Sequence, residues 1–336
     1  MVRFGIVGTG RISDWILKGA VTEPRFKAMA VCSRSEDTAI AFIRKHPEAF
    51  DEDALAFTSV EDMARCDKVD AIYIGTPNST HCAYTLTCLK HGKHVLCEKP
   101  LGCSEAEVRE MTAASGKYGA ALMEAMISTL NPNFRAAVAR IPEIGRIRLF
   151  RAGYCQYSTR YDALKEGIVS NSFNPQMGGG ALEDIGVYTT FPAAALFGEP
   201  EGVSASFDTM PSAFGDITLQ GNILLSYPGM GAVLSFSKTA DSLTETEICG
   251  EKGNIILDNI HNCRKAEFAA HNAPSAGRGP TATRELIREG LEMDDYHYEF
   301  KEFIDVVESG RIESDINSHR VSIINAGIMD KARNYR

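Results

Sequence analysis

Between residues 1 and 125, short apolar runs alternate with stretches of helical period, and few folds can accommodate that rhythm. The runs are Val2–Val7, Lys27–Ser33, Ala56–Thr58, Ala71–Gly75, Val95–Cys97 and Ala121–Ala125. Helical stretches lie between them, one reaching about Val21, one ending before Pro47 and one running from Pro77 to Gly92. Another opens on Ser104 with Glu107 three residues on, a capping box, and stops at Gly119. Parallel strands need a crossover between them, so strict alternation predicts a doubly wound parallel sheet with right-handed connections. From about residue 146 the period changes. Ile217, Leu219, Ile223, Leu225 and Tyr227 alternate with small or polar residues. After the turn at Pro228-Gly229, Ala232, Leu234 and Phe236 resume the pattern, and Thr244–Cys249 with Asn254–Leu257 reads as a further hairpin. That is a sheet with one buried face, mostly antiparallel. Phe300, Phe303, Ile304 and Val307 form a helical stripe closed by Gly310, another helix follows Ser318, and the Pro/Gly-rich stretch 270–283 reads as a loop. The chain is thus read as α/β: a doubly wound domain over 1–125 and an α+β domain over 126–336.

At 336 residues the chain exceeds what one compact core usually serves, which supports two domains. With 44 acidic and 35 basic side chains the net charge is −9, and no basic stripe is present; nucleic-acid and anionic-membrane partners are therefore not expected. Nine irregularly spaced cysteines without a CxxC pair argue against zinc or a redox dithiol and for buried reduced thiols. No apolar run approaches the ~20 residues of a membrane span, and MVRFGIVGTG enters a strand directly, without a signal-peptide pattern. The expected location is cytoplasmic, with no metal.

FGIVGTGRIS places Gly8 and Gly10 between a strand and a helix. Gly8 permits the tight turn, Gly10 lets backbone approach a pyrophosphate at the helix N-terminus, and Ser13 occupies the third, small position. Arg11 and Ile12 open that helix and are assigned to the cofactor as well. The second strand ends Cys32-Ser33-Arg34 without the carboxylate that would bond a ribose 2′-hydroxyl. A hydroxyl with a guanidinium suits a 2′-phosphate, so NADP(H) is favoured over NAD(H); the plain alternative is that Arg34 is a solvated helix-start residue.

HVLCEKPLG raises the question of why a buried strand ends in Glu98-Lys99-Pro100. Ligands of open parallel sheets bind beyond the carboxyl ends of the strands, where Gly8, Ser33, Thr76 and Lys99 all fall. An ammonium beside an oxidised nicotinamide has its neutral form favoured and can exchange a proton near neutrality; the alternative is a lysine snorkelling at a strand end. Thr76, Pro77, Asn78, His81 and Glu98 are placed on the cofactor side, although a lone histidine such as His81 reads as structural before catalytic. In MGGGALEDIGVYTT, Gly178-Gly179-Gly180 lets backbone pass close to something bulky. Asp184 and Tyr188 follow four residues apart on one helix face, where a carboxylate orients a phenol or a substrate hydroxyl. Read plainly, they are a surface charge and a core aromatic.

Taken in order, the strand–GxGxxS start, TPN..H, EKP and GGGAL.DIGVY resemble the Gfo/Idh/MocA oxidoreductase family over nearly the whole chain. Tyr188, where many members have histidine, is similar to the glucose–fructose oxidoreductase and dimeric dihydrodiol dehydrogenase branch. The resemblance implies a Rossmann domain and a second domain with an open, mostly antiparallel sheet whose outer face makes a homodimer or homotetramer. It implies that Lys99 is the catalytic lysine, that a cis peptide precedes Pro100, and that Asp184 and Tyr188 hold the other catalytic positions. The expected reaction is hydride exchange between NADP(H) and a secondary alcohol or carbonyl of a sugar, polyol or cyclic diol. Tyr188 moves the hydroxyl proton with help from Lys99, or Lys99 does so itself; Asp184 orients. A non-catalytic NADP(H)/sugar sensor is the alternative. Ile127-Ser128-Thr129-Leu130 replaces the aromatic and Arg-Phe of related members, so the resemblance does not extend to a particular substrate.

Overall fold

A computed structural model describes residues 1–271 and 283–335. Most of the expected 270–283 loop lies outside them. The chain divides into two compact units, Met1–Ile127 with Met293–Ala326, and Ser128–Glu292 with Gly327–Arg336.

In the first unit, β1 (Val2–Val7), α1 (Arg11–Ala20), β2 (Phe26–Cys32), α2 (Glu36–Lys45), β3 (Phe50–Phe57), α3 (Val60–Ala64), β4 (Ala71–Ile74), α4 (His81–Lys90), β5 (His94–Glu98), α5 (Glu105–Tyr118) and β6 (Leu122–Ala125) alternate as expected. The six strands lie in the order β3-β2-β1-β4-β5-β6 and every pair is parallel. The order reverses between β1 and β4, the switch point where doubly wound sheets open a crevice. β4 and β6 are buried along their whole length, as strands covered on both faces should be. β3 is longer than its apolar run because Glu52 and Asp53 are exposed on an edge strand, where charge is tolerated and hydrophobic period is lost.

The single boundary at 125/126 is crossed by the chain's return. The helix Asp295–Glu308 carries Phe300 and Phe303, fully buried, to within 5.3 and 5.9 Å of the Phe4 ring, and Phe4 lies 5.0 Å from Phe26. Gly19 on α1 admits this helix, since a Cβ there would stand 2.6 Å from Tyr296 Cβ. Burial of large aromatics drives the return, each worth roughly 3–5 kcal/mol against alanine.

The second unit holds β7 (Ile147–Cys155), β8 (Gly202–Met210), β9 (Ile217–Tyr227), β10 (Met230–Ser237), β11 (Thr246–Gly250), β12 (Gly253–Leu257), β13 (Lys265–Ala270) and β14 (Arg284–Glu289), ordered β14-β13-β12-β11-β7-β10-β9-β8. All pairs are antiparallel except β10 with β7. β9 buries every second residue, so one face is core and the other is open. All nine cysteines are free thiols. Among the described residues no helix is long and apolar enough to cross a membrane.

Candidate functional site

In the first unit the strand tips carry the expected residues side by side. Gly8 follows β1, Ser33 follows β2, Thr76 lies two residues past β4, and Lys99 follows β5. Gly8 has φ +100° and a Cβ there would sit 2.5 Å from the Gly75 carbonyl oxygen, so both conformation and space demand glycine. Gly10 is different: a Cβ would meet nothing within 4 Å. The protein itself does not require glycine there, and open space lies before the N-terminus of α1, whose N-cap makes no side-chain hydrogen bond. Uncapped first-turn amides facing open space fit a pyrophosphate. Arg11 and Ile12 stand on that first turn, and Ser13, fully buried, donates its hydroxyl to the Gly8 carbonyl at 2.8 Å. Ser33 lies 3.4 Å from the Thr9 hydroxyl and Arg34 is exposed. A dinucleotide therefore has a cradle of the right chemistry among these residues.

His81, placed on the cofactor side from sequence, has a different task. It is fully buried, its Nδ1 is 2.9 Å from the Pro100 carbonyl and its Nε2 is 3.0 Å from the Thr76 carbonyl. Its ring ties the loop after β4 to the loop after β5 and presents no nitrogen to a ligand. Burial pushes its pKa down against the pull of the two carbonyls. Pro77 accepts from the Thr80 amide at 2.9 Å, which closes the turn beginning at Asn78.

The Lys99–Pro100 peptide is cis, as the resemblance implies. Beneath this loop lies a layer of acids: Glu98, which the sequence placed on the cofactor side, is buried here, and Glu124 and Glu299 were passed over. Tyr73 donates to Glu98 at 2.7 Å, and Glu98 accepts from the Lys99 amide at 3.3 Å. Glu124 accepts from the Leu101 amide at 3.1 Å, and burial pushes its carboxyl up to about 7. Burial and the nearby Glu98 also push Glu299 well above the usual carboxylate range.

The second unit presents Asp184 and Tyr188. Within 181–190 they alone are not fully buried. The spacing predicts ordinary α-helix, but Leu182–Gly186 forms a π-helical turn before the α-helix Val187–Phe197. Gly186 makes room for Phe236, whose ring would lie 3.1 Å from a Cβ, and Pro192 lacks the N–H that an α-helix would offer the Tyr188 carbonyl. Two further rings frame Tyr188: Tyr154, which the sequence offers as a polar pocket wall, and His261, which sequence reading missed. His261 stacks on Tyr154 at 4.7 Å with 2° between planes, and both rings meet Tyr188 edge-on, at 4.3 and 5.5 Å. The triple glycine does bring backbone close to an obstacle: a Cβ on Gly179 would run into the Asn171 carbonyl and lie 2.8 Å from the Asn174 nitrogen.

Residues 2–126 match the family model described as the oxidoreductase family with an NAD-binding Rossmann fold, and residues 135–256 match the Gfo/Idh/MocA C-terminal domain. The chain belongs to the Gfo/Idh/MocA oxidoreductase family. It is an NAD(P)-dependent oxidoreductase of the dehydrogenase/reductase type. Among Gfo/Idh/MocA relatives, it is 39% identical to scyllo-inositol 2-dehydrogenase (NADP(+)) IolU of Bacillus subtilis, covering 99% of this chain and 96% of that one. It is 34% identical to trans-1,2-dihydrobenzene-1,2-diol dehydrogenase of Xenopus laevis over 77% of this chain and 76% of that protein. Its fold superposes on levoglucosan dehydrogenase, solved with NADH and levoglucosan, at a TM-score of 0.83 with 21% identity, covering 99% and 96% of the two chains.

Proposed function

We propose that this protein is an NADP(H)-dependent dehydrogenase/reductase acting on a secondary alcohol or carbonyl of a polyol, sugar or cyclic diol. The observation that carries the reading is Lys99, standing at the tip of β5 in the same row of strand ends as Gly8, Ser33 and Thr76. Support for the substrate class comes from relatives named for scyllo-inositol and for a dihydrodiol. For the cofactor it comes from Ser33 and the exposed Arg34 after β2, with no carboxylate in either position.

Gly8, Gly10, Arg11, Ile12, Ser33, Arg34 and the Thr76–Asn78 turn hold the dinucleotide. When bound, it supplies or accepts the hydride. Tyr188 or Lys99 moves the substrate hydroxyl proton, and Asp184 orients the hydroxyl. Free thiols throughout fit a reducing compartment such as the cytoplasm. The open sheet face carries Leu224 and Val233, cross-strand partners that are 52% and 37% exposed, and this is the face by which we expect a homodimer or homotetramer to form.

The test is a panel of inositols, sugars and cyclic diols with NADP+ and NAD+, following reduced-nicotinamide absorbance. We expect turnover with at least one polyol, and a Lys99→Met enzyme that binds NADPH normally but loses about 10²–10⁴-fold in kcat. A Lys99→Met enzyme as fast as the parent ends the proposal.

A further inference from the structure

Lys238, the residue after β10, is 3% exposed. A buried ammonium is tolerated only when its charge is met by partners. Its Nζ lies 2.6 Å from Asp184 Oδ2, donates to the Ser172 carbonyl at 2.9 Å, and stands 3.9 Å from the centroid of the Phe173 ring. Phe173 is fully buried, so a π-face rather than water borders the ammonium. The backbone of Lys238 is fixed as well: its amide donates to the Leu219 carbonyl at 3.0 Å, and its carbonyl accepts from the Ser158 amide at 2.9 Å. Glu183, beside Asp184 in the same π-helical turn, pairs with Arg333 at 3.1 Å.

This arrangement is more than a core ion pair, because its two ends differ. Lys238 is sealed in the interior while Asp184 is 34% exposed, so the ammonium holds from behind a carboxylate that faces outward. We propose that Lys238 is a positioning residue: it fixes the orientation and the negative charge of the Asp184 carboxylate so that this group receives a substrate hydroxyl in one geometry. The inference rests on the reading of Asp184 as the residue that orients substrate.

The experiment compares Lys238→Met, Lys238→Arg, Asp184→Asn and the Lys238→Met/Asp184→Asn double variant in the full chain. Carbon-13 NMR of aspartate-labelled protein follows the Asp184 carboxyl, assigned by its loss in Asp184→Asn. Removal of an adjacent cation raises a carboxyl midpoint, so Lys238→Met is expected to shift it up by at least about one pH unit, and Lys238→Arg to leave it in place. An unmoved midpoint in a folded Lys238→Met protein overturns the proposal, whatever the activity. Kinetics use scyllo-inositol or the panel compound turned over fastest. Lys238→Met should lose about 10–100-fold in kcat/KM for that substrate with the NADP+ KM changed less than about twofold. The double variant, which removes both charges together and so remains foldable, should match Asp184→Asn within about twofold. A further tenfold loss in the double variant shows that Lys238 acts elsewhere and refutes the proposal. Full activity in Asp184→Asn alone refutes the reading of Asp184 and leaves the NMR result standing.

Discussion

Glu124 gives a stability prediction with a sign and a size. Glu124 is 1% exposed beneath the Lys99–Leu101 loop; its Oε1 accepts from the Leu101 amide, and Ser322 also favours the charged form, though less than burial opposes it. Burial, reinforced by Glu98, raises its pKa from 4.5 to about 7. The folded state therefore holds a proton that the unfolded state releases, and stability is complete below pH 4.5 and falls as pH rises through about 7. At ~1.4 kcal/mol per pH unit that interval amounts to about 3 kcal/mol. Glu124→Gln keeps an oxygen for the Leu101 amide and cannot ionise. Urea unfolding followed by the fluorescence of Trp15, the single tryptophan, reports on the first unit. The variant's advantage over the parent should grow by about 2.5 kcal/mol from pH 5 to pH 8, since titrating groups that do not touch Glu124 are common to both. A difference that stays flat from pH 5 to 8 means the carboxyl is already ionised in the folded protein, and the reasoning is refuted.

Arg34→Ala should weaken NADPH binding about 10–100-fold, the worth of a charge-assisted contact, while leaving NADH within about twofold; nicotinamide fluorescence titration reads both, and equal losses would show that no 2′-phosphate is gripped. Gly179→Ala should cost roughly 1–3 kcal/mol in thermal unfolding, because its methyl meets the backbone of Asn171 and Asn174 rather than a side chain that can turn away; an unchanged Tm would mean that the turn gives freely.

Much of this protein was readable from its residue order, because the relevant physics is local. A strand covered on both faces must be an apolar run, a helix start wants a hydroxyl with an acid three residues later, and a positive φ wants glycine; Val95–Cys97, Ser104 with Glu107, and Gly8 meet these demands. β3 escaped because an edge strand carries charge without penalty. The four-residue spacing of Asp184 and Tyr188 was visible, though not the π-turn that holds Asp184, which packs its Gly186 against the Phe236 ring rather than following the period.

What no window of sequence discloses is which distant group meets a given side chain. Lys238, in Ser237-Lys238-Thr239-Ala240, reads as an ordinary lysine after a strand, and only folding brings it from 54 residues away onto Asp184. His261 reaches Tyr188, Glu98 comes close enough to Glu299 to raise its pKa, and Phe300 returns to Phe4 in the same way. Period and propensity act over one or two turns, whereas charge compensation and aromatic packing depend on separation in space. The elements were therefore legible in the chain itself, and the partners that tune their chemistry appeared only once the sheets had formed.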